Sequence, residues 1–151
     1  MIDACKPVLS YDGVNILQEA SATTYHTYAK LGYYKNLAVV VGSRNTDYSS
    51  DNNQKSVEIL SENSWLRLDD FPFVASYIYS YSMVTFENVL YLFGGYGDYT
   101  GQNSGPMNLA VTFEGPPYKW TIAGALLTPR RYHNTIVDGQ SILHVGGEEQ
   151  K

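Results

Sequence analysis

The sequence predicts an all-β chain of about three four-stranded units. Three observations carry this. A β-prone run ending in glycine occurs three times, as Leu37-Ala38-Val39-Val40-Val41-Gly42, Val89-Leu90-Tyr91-Leu92-Phe93-Gly94-Gly95 and Ser141-Ile142-Leu143-His144-Val145-Gly146-Gly147. The spacing is constant, since 52 residues separate Gly42 from Gly94 and Gly94 from Gly146. A helical pattern is nearly absent; residues 21–31 come closest, and they contain Thr23-Thr24-Tyr25, which are poor helix formers. A fixed period of this length marks an architecture whose single unit cannot bury its own apolar face.

The elements follow in order. The first strand of each unit (A) runs into a tight turn: Tyr34-Lys35-Asn36, Phe86-Glu87-Asn88 and Asp138-Gly139-Gln140 fall at equivalent places. Asn and Asp-Gly tolerate the positive φ that a two-residue hairpin loop needs. The glycine-ended strand (B) follows, then a long loop, then strands C and D. Trp65 and Trp120 stand near the end of two units, each ahead of a loop holding a proline, Pro72 and Pro129. Residues 9–14 overlie residues 60–65 at a shift of 51, with Asp12-Gly13 as a turn and Val14 in the place of the tryptophan. The expected division is therefore strands C and D at 6–17, whole units at 26–72 and 77–129, and strands A and B at 131–147. Strand B shows no polar alternation, which predicts burial on both faces. Stacked four-stranded sheets achieve that without helices, and this is the β-propeller solution.

The strand ending in Gly-Gly, the tryptophan near the unit's end and the period near 50 resemble the kelch repeat. The phrase Leu127-Thr128-Pro129-Arg130-Arg131-Tyr132-His133 resembles that family's junction between blades, and the resemblance covers essentially the whole chain. There are departures. Ser43 replaces a second glycine after Gly42. The aromatic that the family places on strand C ahead of the tryptophan is Ile59 in one unit, and its nearest candidate in the other is Phe113. The resemblance implies a kelch-type β-propeller segment. A closed ring usually needs at least four blades, so the count predicts a portion of a larger ring. Half blades at both ends would leave unpaired strand edges, which invite pairing with another chain or with missing blades.

Composition excludes several functions. The formal net charge is −5 and the only basic pair is Arg130-Arg131, so the positive stripe of a nucleic-acid binder is missing. The apolar runs are too short to span a bilayer as a helix. One cysteine, Cys5, allows no disulfide within the chain, and no Asn-x-Ser/Thr sequon occurs. Both tilt toward a reducing, cytoplasmic setting and leave the compartment open. Residues 1–7 carry no signal-peptide pattern.

Catalytic motifs are lacking. His26, His133 and His144 form no metal-ligand spacing, although the galactose-oxidase type of kelch enzyme holds copper with His and Tyr. The expectation is no metal and no cofactor. His144 reads as a packed residue of strand B, and His26 and His133 as hydrogen-bonding residues at the start of strand A. There is no Gly-x-Ser-x-Gly nucleophile elbow. Asp69-Asp70 and Glu148-Glu149 read as solvated loop residues.

The loops carry the functional expectation, because long loops on a rigid scaffold are where binding resides. B–C and D–A loops leave one face of such a unit. The first B–C loop offers Arg44, Asp47 and Tyr48, the second Tyr96, Asp98 and Tyr99, and a D–A loop offers Arg130 and Arg131. Tyr and Arg are over-represented at binding hot spots. Phe71, Tyr77 and Tyr132 either join them or plug crevices between blades. Gly42, Gly94, Gly95, Gly146, Gly147, Trp65 and Trp120 are the structural repeat positions. The expected role is a non-catalytic module binding a protein partner. The alternatives are the propeller of a galactose-oxidase-like or other sugar-acting enzyme, or a cytoskeletal or extracellular structural protein.

Overall fold

The computed structural model describes residues 8–44, 54–99 and 103–149. In chain order the strands are β1 (Val8–Tyr11), β2 (Ile16–Glu19), β3 (Leu31–Tyr34), β4 (Leu37–Val41), β5 (Val57–Ser61), β6 (Ser64–Arg67), β7 (Val74–Tyr79) and β8 (Ser82–Phe86). They continue as β9 (Val89–Phe93), β10 (Tyr96–Tyr99), β11 (Gly105–Pro106), β12 (Leu109–Glu114), β13 (Lys119–Ala125), β14 (Asn134–Asp138) and β15 (Ser141–Val145). The described residues contain no helix.

Two four-stranded antiparallel sheets, β3-β4-β5-β6 and β8-β9-β12-β13, stand between two hairpins, β1-β2 and β14-β15. The first strands adjoin one another across sheets, β3 against β8 and β8 against β14. Asn36, Asn63 and Asn88 close two-residue hairpin loops in which both central residues have positive φ (45° and 66°, 48° and 66°, 50° and 64°). Such loops match the right-handed twist of the strands they join.

The absence of polar alternation in β4 and β9 has the anticipated cause. Val39 and Val41 on one face of β4 and Val40 on the other are buried, as are Leu90 and Leu92 on one face of β9 and Phe93 on the other, because a neighbouring sheet or hairpin lies over each face. The main core joins the two four-stranded sheets through Val39, Ile59, Leu90, Val111 and Phe113, among others. A smaller cluster of Ala22, Val40 and Trp65 joins the first sheet to the β1-β2 hairpin. Trp65 and Trp120 each pack on the segment leaving the preceding sheet. The Trp65 indole donates to the Ala20 carbonyl at 2.9 Å, and the Trp120 ring meets Phe71 edge-on at 5.1 Å.

The glycine positions share one conformation. Gly42, Gly94 and Gly146 have φ of +64°, +60° and +74°. A Cβ on Gly94 would lie 2.5 Å from the Arg130 carbonyl oxygen, and one on Gly42 would collide with the Ile78 carbonyl, 52 residues earlier. Gly95 and Gly147 follow them, against the Tyr79 and Arg131 carbonyls respectively.

Five expectations are corrected. Val14 does not occupy a tryptophan place. The Asp12 carboxylate accepts the N–H groups of Val14 (2.8 Å) and Asn15 (2.7 Å), which makes a four-residue loop in place of a tight turn. Leu17 therefore stands opposite Ser10 as Trp65 stands opposite Leu60 and Trp120 opposite Phe113. Leu60, not Ile59, is thus the counterpart of Phe113. His144 is only half-buried, and Leu143 and Val145 are exposed, because β15 has a neighbouring sheet on one face only. Tyr77, expected in a D–A loop, lies on a strand instead. It belongs to β7, which pairs with β10 and through it β11, so segments expected as loops form a third, three-stranded sheet. Finally, Glu148 and Glu149 are not purely solvated; they meet Arg131 and Arg130 at 3.1 and 3.8 Å.

Candidate functional site

β7 and β10 bring distant tyrosines together. Tyr96 pairs with Tyr79 across the strands. Its ring stacks with Tyr77 (6.5 Å, 14°) and lies 5.4 Å from Tyr79. Tyr79 reaches Tyr28 at 6.5 Å. An arginine flanks each end. The Arg44 guanidinium lies over Tyr28 (5.1 Å) and Tyr79 (5.8 Å), and that of Arg131 over Tyr96 (4.8 Å) and Tyr132 (5.1 Å). A cation over a ring face is attracted by the ring's quadrupole, so the tyrosines also hold the arginines in place. Burial pushes the Tyr79 phenol pKa up against the opposing pull of Arg44, so Tyr79 stays neutral.

The cluster follows from the repeat. Tyr28, Ser80 and Tyr132 stand 52 residues apart, all in the left-handed region (φ 59°, 56° and 58°). The Ser80 N–H donates to the Tyr28 carbonyl (3.1 Å), and the Tyr132 N–H to the Ser80 carbonyl (3.0 Å). This relay sets one residue of each unit beside the next. Its outer members, Tyr28 and Tyr132, are about half exposed, while Ser80 is buried between them. The Ser80 hydroxyl and Arg131 Nε are buried without a hydrogen-bond partner among the described residues.

Of the residues singled out from sequence, Arg44, Tyr96 and Arg131 meet here. Arg131 is also ion-paired with Glu148, whereas Arg44 makes no ion pair among the described residues. Arg130 points elsewhere and donates to the Gly146 carbonyl at 3.1 Å. Asp98 serves the scaffold, since its carboxylate accepts the Ser76 (2.9 Å) and Tyr77 (3.2 Å) N–H groups. Partial burial raises the Asp98 pKa, but these bonds outweigh it and hold the group below its ordinary value. Tyr99 stands at the far end of β10, in a groove with Pro106, Met107, Ile122 and Pro129. Asp47 and Tyr48 lie outside the described residues. Phe71 is a core plug, fully buried against Phe73 and Trp120. Tyr77 and Tyr132 belong to the cluster.

A buried polar group that the sequence reading passed over is Glu58, on β5. Its carboxylate accepts the Thr23 hydroxyl and the N–H groups of Thr23 and Thr24, and lies 3.0 Å from His26 Nε2. His26 Nδ1 meets the Gly42 carbonyl at 2.8 Å. Burial raises the Glu58 pKa, yet His26 and Thr23 outweigh it and hold the carboxyl below its usual value. A lone charge inside Val57-Glu58-Ile59-Leu60 was the signal; Val111 fills the matching place opposite Leu92 in the second sheet. Among the described residues, no three His, Cys, Asp or Glu side chains converge as a metal site.

No protein-family model matches the chain, and no curated protein matches it. Solved structures do. One, the structure of YjhT, is 17% identical and superimposes with a TM-score of 0.74 over 95% of this chain. This chain spans 46% of that one. At that identity the likeness establishes a shared all-β fold and carries no function.

Proposed function

We propose that this chain is a segment of a kelch-type β-propeller that works as a non-catalytic protein-interaction module. The carrying observation is the Arg44–Tyr28–Tyr79–Tyr96–Arg131–Tyr132 cluster, with Tyr79 buried and Arg44, Tyr28 and Tyr132 exposed, built where segments expected as loops converge. Tyrosines offer large contact area with few rotatable bonds, and arginines offer charged donors; both dominate binding hot spots. The equal spacing of the units and their adjoining first strands support the propeller reading.

The test compares the unmodified chain with the double variant Tyr28→Ala/Arg44→Ala, both residues being exposed. Proteins retained by the chain are quantified by mass spectrometry, and the best candidate is titrated by calorimetry. A partner whose affinity falls at least about tenfold in the double variant is expected for hot-spot residues. Partners that bind both forms equally would remove this surface from the reading. Stoichiometric copper, with hydrogen peroxide released from galactose, would overturn its non-catalytic part.

A further inference from the structure

The two terminal hairpins leave apolar surface and strand edges uncovered. Leu9, Tyr11 and Ile16 on β1-β2 are 65, 68 and 72% exposed, and Ile136 and Val145 on β14-β15 are 53 and 60% exposed. In the second sheet, Phe93, which stands where Val145 does, is 7% exposed. Among the described residues β15 pairs only with β14, and β1 only with β2, so each keeps one edge open there. In both complete sheets that edge is closed by its counterpart, β4 with β5 and β9 with β12.

From these complementary halves we infer that two copies of this chain join head to tail, β15 of each pairing antiparallel with β1 of the other, in a closed ring of six four-stranded sheets. Two further features fit that occupant. The relay through Tyr28, Ser80 and Tyr132 ends on a Tyr28 N–H and a Tyr132 carbonyl that make no backbone hydrogen bond among the described residues. The next donor in that series is Tyr28 of the second copy. Gly42 and Gly94 each face the carbonyl 36 residues ahead, whereas a Cβ on Gly146 would meet nothing within 4 Å. In the ring, the second copy's His26 carbonyl takes that place.

The repeat fixes the register. The β1-β2 and β12-β13 hairpins both close over four residues, so Ser10 stands where Phe113 does. Phe113 opposes Leu90, and Thr112 opposes Tyr91. Shifted by one repeat, Ile142 opposes Ser10, Leu143 opposes Leu9 and His144 opposes Val8 of the other copy. An exposed apolar edge is a template for such pairing, and a closed two-fold arrangement ends it at two chains.

Light scattering on the 151-residue chain is expected to give twice its 16.9 kDa mass. In a Cys5→Ser background, Leu9→Cys chains mixed with Leu143→Cys chains and mildly oxidised are expected to give a covalent heterodimer, since directly opposed residues lie within disulfide reach. Each single-cysteine variant alone should give none. A monodisperse monomer, an open-ended series of oligomers, or a dimer without the 9–143 cross-link would overturn the inference. Amide exchange on the same sample separates this from the propeller reading: if β4 and β9 stay protected in a monomer, only the dimer falls.

Discussion

At the scale of single residues, the repeat sets up a comparison between chemically equal positions in different surroundings. Gly94 and Gly146 share a positive φ, which costs an alanine about 1–2 kcal/mol. Only Gly94 has a carbonyl 2.5 Å from where the Cβ would sit. Within a single chain Gly146→Ala is therefore expected to lower stability by about that conformational amount, and Gly94→Ala by several-fold more or to prevent folding; in the head-to-tail dimer Gly146→Ala would also weaken association, because the second copy's His26 carbonyl faces that position. Denaturant midpoints of the two variants check this, and equal losses would remove the close-approach explanation. His133 gives a pH prediction. It is buried beside Ser82 (2.9 Å), and burial, together with nearby His144 and Arg130, pushes its pKa down to about 4. The unfolded chain then binds the proton more readily, so stability is complete above pH 6.5 and is lost as pH falls toward 4. The loss should be on the order of 3 kcal/mol. His133→Phe should flatten that part of the profile measured by urea unfolding. Glu58, with its lowered pKa, contributes stability above its unfolded pKa that is lost at lower pH still.

At the scale of elements, the sheets are held to one another by a few residues between them. Trp65 is 9% exposed and ties the first sheet to the β1-β2 hairpin. Trp65→Ala is expected to cost about 3–5 kcal/mol and to release amide protection in β1 and β2 before the second sheet. Hydrogen exchange by residue reads both. Tyr81 joins the two four-stranded sheets differently. Its buried hydroxyl accepts the Val41 (3.1 Å) and Lys30 (3.2 Å) N–H groups. Tyr81→Phe keeps the ring and strands those donors, at about 1–3 kcal/mol. A loss near zero in thermal or denaturant unfolding would show that neither donor depends on it.

At the scale of the whole molecule, the period of 52, the Asn-closed hairpins and the glycine-ended strands were legible because each is a local constraint. A two-residue loop needs positive φ, and a strand covered on both faces drops its polar alternation. Those patterns alone determined an all-β chain of repeated sheets. The candidate surface was legible only in part. Arg44, Tyr96 and Arg131 were identified from their loops, but nothing local to Tyr28 or Tyr79 announces a partner 50 residues away. Their meeting depends on β7 pairing with β10, on Asp98 capping β7, and on the left-handed relay at Tyr28, Ser80 and Tyr132. Glu58 and His26 are 32 residues apart in sequence, which likewise hides their buried pair. The fate of Val14, Leu17 and His144 was likewise decided by tertiary structure. A side chain's burial depends on whether another sheet covers that face, and a strand's own residues do not say which neighbour covers it, as the unalternating but half-exposed β15 shows.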